Sequence, residues 1–130
     1  MIPIFFITML LLFTDMARAA PLLPTDPGRV GKQGLNGIDA DNDGVRDDIQ
    51  RYLSVEYPDD EKVRLVMTQV TIEYQKLLAE SNDPEAAVLH ATRLARHGEC
   101  LDYLVGDAAR TMLARLKAEI LNTQERSRAY

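Results

Sequence analysis

From Asp48 onward, apolar and polar positions recur with the period of a helix, and no stretch of the chain carries the two-residue alternation of a strand. The clearest stripe is Val63, Val66, Met67, Val70, Tyr74, Leu77 and Leu78, whose i, i+3, i+4, i+7 spacing predicts a helix with one buried face. It is expected to open around Asp59, because Asp59, Asp60 and Glu61 place carboxylates where the first-turn amides and the positive end of the helix dipole favour them. A shorter helix is expected before it, from about Asp48 to Glu56, ended by Pro58, whose ring disfavours helical geometry at Tyr57. After it, SNDPE offers Asp83 as an N-cap and Pro84 at a first helical position, where the missing amide hydrogen is no loss.

That third helix is expected to bury Ala87, Val88, Ala91, Leu94 and Ala95 and to stop at Gly98, behind the basic residues Arg93, Arg96 and His97. A short helical piece from Glu99 to Val105 then leads to Gly106. Asp107 is expected to cap a fourth helix that buries Ala109, Met112, Leu113, Leu116 and Ile120 and runs to about Arg126 or beyond. The pattern reaches Tyr130 without a stop signal, which leaves open that the native protein continues. Stripes joined by short turns predict an all-α fold, a small bundle of three to four antiparallel helices.

The front of the chain reads differently. Residues 1–19 hold an apolar run from Ile2 to Phe13 and then Ala17-Arg18-Ala19, the small-x-small pattern that precedes a signal-peptidase cut, so a secretory signal cleaved after Ala19 is expected. The run is short of the about 20 apolar residues that a membrane span requires. Its charge-free start keeps an uncleaved anchor open, and membrane association is expected only in that case. Three prolines and four glycines across residues 20–37 break any regular period and predict a flexible tether. The domain plan is therefore a signal (1–19), a tether (20–37), an acidic loop with the start of the first helix (38–52) and the helical bundle (53–130). The expected location is secreted or periplasmic.

Charge narrows the partners. The formal charge is −5, from 20 acidic and 15 basic side chains, which disfavours phosphate-dominated binding, so no nucleic-acid partner is expected. A single cysteine, Cys100, excludes an internal disulfide; lying among Leu101, Leu104 and Val105, it is expected to be buried.

The acidic excess is concentrated in DADNDGVRDDIQ, which holds five carboxylates in residues 39–50. With Asp39 as first position, Asp41 and Asp43 fall third and fifth, Gly44 sixth, Val45 seventh and Asp47 ninth. A hard cation such as Ca²⁺ takes about six to eight oxygens, and alternate residues of a tight loop all point inward only where a glycine accepts a positive-φ turn. The candidate ligands are the side chains of Asp39, Asp41, Asp43 and Asp47 and the backbone carbonyl of Val45. Gln50 occupies the twelfth position, where a glutamate would offer two charged oxygens and a carboxamide offers one neutral one; Asp48 is the alternative that would complete the set.

DADNDGVRDDIQRYL resembles the single Asp-rich, EF-hand-like loops of the thrombospondin type 3 kind found in exported bacterial proteins, of the form DxDxDGxxDD. The resemblance spans about Gly37 to Tyr52 and implies Ca²⁺ as the cofactor and an extracytoplasmic site. The upstream PGRVGKQGLNG is no entering helix, so the paired-helix frame of a calcium sensor is missing. A metal-free alternative stays open: Asp47 as an N-cap with Gln50 as its reciprocal partner would be a capping box. That box leaves the alternation of Asp39, Asp41 and Asp43 unexplained, since a plain turn gains nothing from a third carboxylate.

Other constellations carry less. His90 and His97 lie about 10 Å apart along a helix axis, too far to share one zinc ion. G-x-S-x-G, H-E-x-x-H and phosphate-loop motifs are absent from the sequence, so no enzyme activity is expected. The expectation is an exported calcium-binding protein in which the ion clamps a helical structural or interaction module, with an unidentified protein partner possible. A small extracytoplasmic hydrolase with a structural calcium ion is the alternative, and dimerisation through a helical stripe a third reading.

Overall fold

A computed structural model describes residues 22–130. The expected signal over 1–19 lies outside the described residues. Among these the chain is all-helical: after a 3-10 turn at Val30–Lys32 come α1 (Asp47–Glu56), α2 (Glu61–Ala79), α3 (Pro84–Val105), α4 (Ala108–Ile120) and the short α5 (Gln124–Ala129). The bundle expected from the stripes is present, with α2 and α3 its principal pair and α1 and α4 packed on α2.

Local chemistry explains where these helices begin. The Asp60 carboxylate accepts from the Val63 amide at 3.0 Å and so opens α2, while the Asp83 carboxylate accepts from the Glu85 and Ala86 amides ahead of Pro84. The core gathers Val45, Ile49, Leu53, Val63, Met67, Val70, Leu78, Leu101, Ala109, Leu116 and Ile120. The α2 stripe supplies four of these, Val63, Met67, Val70 and Leu78, as its spacing predicts.

Three expectations need correction. Helix α3 does not stop at Gly98 but continues to Val105, absorbing the expected separate piece. One glycine weakens a helix by only about 1 kcal/mol, and the open flank of Gly98 lies beside Leu113 of α4, so packing outweighs propensity there. The fourth helix ends at Ile120 rather than near Arg126. There the Arg46 guanidinium takes the Ile120 and Glu119 carbonyls at 3.0 and 3.4 Å, and the Thr123 hydroxyl accepts from the Arg126 amide to begin α5. Finally, Cys100 is exposed, as are Val88, Ala91 and Ala95, because α3 turns a different side to the core: its buried residues are His90 and Leu101.

Residues 22–37 hold no α-helix, yet they are fastened to the body at two points. The Arg51 side chain donates to the Pro24 carbonyl at 2.9 Å. Arg126, fully buried, donates to the carbonyls of Gly31 (2.9 Å), Gly34 (3.1 Å) and Leu35 (3.3 Å), and to Asn122 Oδ1 at 2.7 Å. Gly37, at φ +63°, crosses directly over Arg46 and Arg126, where an added Cβ would come within 2.8 and 2.9 Å of them. The C-terminal helix thus straps the N-terminal segment beside the acidic loop.

Candidate metal site

The acidic loop is shaped by its own backbone amides. Asp39 Oδ1 accepts from the Asp43 amide at 3.2 Å and Asp39 Oδ2 from the Gly44 amide at 3.0 Å, while Asp43 Oδ1 accepts from the Val45 amide at 2.8 Å. Gly44 supplies the sharp turn at φ +87°, and Asn42 also takes a positive φ, +57°. The loop closes where the Asp47 amide donates to the Ile38 carbonyl at 2.8 Å and the Ala40 amide to Asp47 Oδ1 at 2.9 Å. From α2, Gln75 grips the outer turn: its Oε1 accepts from the Arg46 amide at 3.0 Å and its Nε2 donates to the Gly44 carbonyl at 2.9 Å. Val45 anchors the loop by burying its side chain in the core.

In this arrangement Asp39, Asp41 and Asp43 each offer a carboxylate oxygen, all within 4.8 Å of one another. Asp39 is half-buried and the other two are exposed. Burial pushes the Asp43 carboxyl above its ordinary range; the Val45 amide opposes this, and the neighbouring charges of Asp41, Asp39 and Asp47 add to the rise. The site therefore holds negative charge at some cost, and a cation placed among the three would relieve it.

The remaining candidates occupy distinct places. Asp47 is buried at the first turn of α1, holding the loop closed through the Ala40 amide. The capping box of the metal-free alternative does not form: Arg46 stands at the N-cap position without a side-chain cap, and Gln50 reaches the loop instead. Its Nε2 donates to Asp43 Oδ2 at 2.9 Å and to Asp41 Oδ2 at 3.2 Å, while its Oε1 is buried with no hydrogen-bond partner. The twelfth-position side chain is thus in contact with the acidic cluster, its donor end toward the carboxylates. Asp48 is not part of the cluster. Its carboxylate receives Arg46 Nε and Nη2 at 2.9 and 2.8 Å and Asn122 Nδ2 at 3.3 Å, on the side of the turn between α4 and α5. Burial works to raise the Asp48 carboxyl, but the hydrogen bond and charge of Arg46, with smaller help from Asn122 and Arg126, outweigh it and bring it below the ordinary range.

Several residues behind the site carried no sequence signal. Gln75, Arg46 and Arg126 act through contacts far along the chain, and no local pattern marks them. Arg126 itself is pushed down by burial and by the charge of Arg46, offset by Asp48 and Glu125. A second buried polar group lies away from the loop, between α2 and α3. His90 Nδ1 meets Glu73 Oε2 at 2.6 Å and its Nε2 meets Glu80 Oε2 at 3.2 Å, with Arg93 Nη1 at 3.6 Å from Glu73 Oε1. The carboxylates lie on opposite nitrogens of the ring, an arrangement that joins helices and gives no common point for an ion. When the chain is compared with protein-family models, curated proteins and solved structures, none matches.

Proposed function

We propose that the loop Asp39–Gln50 binds Ca²⁺ and that the ion acts as a structural clamp on a helical interaction module of an exported, non-enzymatic protein. The observation that carries the reading is the convergence of the Asp39, Asp41 and Asp43 carboxylates within 4.8 Å on a loop already wound by Gly44. The donors are all hard oxygens, which suits calcium and not a soft metal. Asp39, Asp41 and Asp43 would hold the ion, with Asp47, the Val45 carbonyl and Gln50 as further donors. Bound there, the ion would neutralise the mutual repulsion of the carboxylates and stiffen the entry into α1.

The coupling to the fold favours a clamp. Val45 packs in the core, Gln75 ties the loop to α2, and Arg46 and Asp48 tie its far end to α4 and Asn122. Export rests on the Ile2–Phe13 run and the Ala17-Arg18-Ala19 pattern. In a millimolar-calcium compartment, a dissociation constant of about 10⁻⁴ M is sufficient, and an ion at ten times that value adds about 1.4 kcal/mol. The direct test is calorimetric titration of the purified chain with calcium, alongside its melting temperature. Wild type gives heat and a raised melting point, and Asp43→Ala gives neither. Absence of heat in the wild type removes the proposal.

A further inference from the structure

Between Pro84 and Cys100, His90 is the one buried side chain of α3. Its ring, 4% exposed, stands between two carboxylates from α2. Glu73 Oε2, on a side chain 8% exposed, lies 2.6 Å from Nδ1, and Glu80 Oε2, on a side chain 50% exposed, lies 3.2 Å from Nε2. Arg93, one turn along α3, comes within 3.6 Å of Glu73 Oε1. Lys76 stands one turn from each glutamate on α2. Among the described residues it forms no ion pair with either, and no hydrogen bond or ion pair reaches the three groups from α1, α4 or α5.

The number of protons in this contact is fixed by its chemistry. An ionised carboxylate only accepts, and a neutral imidazole carries one N–H and one bare nitrogen. Two carboxylate contacts on one ring therefore require two protons, one more than the neutral ring supplies. That extra proton belongs to the three groups together, whether it rests on the ring or is shared with Glu73 across 2.6 Å. We propose that His90, Glu73 and Glu80 form a proton-dependent clasp, which seats the first half of α3 on α2 and loosens as pH rises.

When the proton leaves, one ring nitrogen faces a carboxylate as acceptor against acceptor. Burial decides which: Glu73 is left with only the longer Arg93 contact, whereas Glu80 is half-exposed and turns to water. The remaining N–H stays with Glu73 and the Glu80 contact opens. Glu80 is the residue that ends α2, and its carbonyl accepts from the Asp83 amide at 2.9 Å. The Asp83 carboxylate in turn caps α3, so the opening falls on the turn that sets one helix against the other. Beyond His90, α3 buries no further side chain until Leu101. In the unfolded chain the groups are apart, and an imidazole gives up its proton at about pH 6.5. The clasp therefore stabilises fully below about pH 6, and its contribution fades as pH rises, with a limiting slope of about tenfold in the opening constant per pH unit for one proton.

Protection of backbone amides against hydrogen exchange, read at about pH 6 and pH 8 on the full chain in chelator, follows the helices separately. Relative to the α4 amides around Leu116, those of residues 88–94 lose about tenfold in protection factor over this range. Glu80→Gln changes a half-exposed position and keeps the helicity. Its carboxamide accepts from a protonated Nε2 or donates to a bare one, and the loss shrinks to about threefold or less. His97→Gln, at the other histidine of the chain, leaves the tenfold loss in place. The proposal is overturned by a wild type in which residues 88–94 and α4 lose protection in parallel. It is also overturned by a Glu80→Gln variant that keeps the full loss, or by a His97→Gln variant that removes it. Because no calcium is present, the outcome is separate from that of the metal reading.

Discussion

Replacing Gln50 with glutamate exchanges one nitrogen for an oxygen at the point where the helix meets the acidic cluster. The amide donates to Asp43 Oδ2 at 2.9 Å and Asp41 Oδ2 at 3.2 Å, so without an ion the variant loses both bonds and sets a fourth carboxylate against two others. Each like-charge pair at that separation costs about 1.4 kcal/mol even at the dielectric of water, and each hydrogen bond contributes about 1 kcal/mol. The side chain is half-buried and relieves part of this by turning to solvent, leaving a net loss of about 2 kcal/mol. For a domain of this length a change of 1 kcal/mol moves the melting temperature by about 4 °C, so Gln50→Glu melts about 8 °C lower in chelator.

With calcium part of this loss is recovered. A glutamate at that position offers two charged oxygens to the ion, and a tenfold gain in affinity raises the calcium stabilisation from about 1.4 to about 2.7 kcal/mol. The calcium-induced rise in melting temperature is then about 6 °C for wild type and about 11 °C for the variant. Differential scanning calorimetry in chelator and in millimolar calcium measures both. An equal deficit for the variant in the two conditions would refute the reasoning, because an ordinary packing loss does not depend on the ion.

Other expectations follow from the buried polar groups. Arg126→Met keeps the stem but leaves the Gly31, Gly34 and Leu35 carbonyls without their donor; it costs about 3 kcal/mol and speeds tryptic cleavage at Arg29 and Lys32, and unchanged cleavage kinetics contradict the strap. His90→Ala strands the buried Glu73 carboxylate with only the longer Arg93 contact and costs about 3 kcal/mol; a double-mutant cycle with Glu73→Gln returns a coupling of at least about 1 kcal/mol, and an additive result removes the link. Burial, with the charge and hydrogen bond of Tyr130 beside it, pushes the Tyr74 phenol from 10.0 up to about 12. The unfolded chain then ionises first, so stability falls as pH rises from 10.0 toward about 12. Tyr74→Phe flattens that fall in denaturant titrations, and an identical pH profile in the variant disproves it.

Much of this architecture was legible from residue order because it depends on neighbours in sequence. The stripe through Val63, Met67, Val70 and Leu78 buries as its period demands, and Asp60 and Asp83 cap helices by bonds spanning two or three residues. The spacing of Asp39, Asp41 and Asp43 around Gly44 belongs to the same class, since a short loop leaves few ways to arrange alternate side chains. What failed were statements that needed a distant partner. Gly98 looks like a helix stop until Leu113 lies beside it, and no stop is visible after Ile120 until Arg46, 74 residues away, takes its carbonyl.

The same division runs through the candidate site. Residue order alone assembled the alternating carboxylates and made Gln50 the weak position, because both are matters of spacing along one loop. Only the tertiary structure assigned Asp48 to Arg46 and Asn122, brought Gln75 onto the loop, and left Val88, Ala91 and Ala95 of α3 exposed while placing His90 between two glutamates. A carboxylate goes to whichever cation or amide the fold brings within reach, and a helix buries whichever face its neighbours cover; neither choice is made by the residues beside it in the chain.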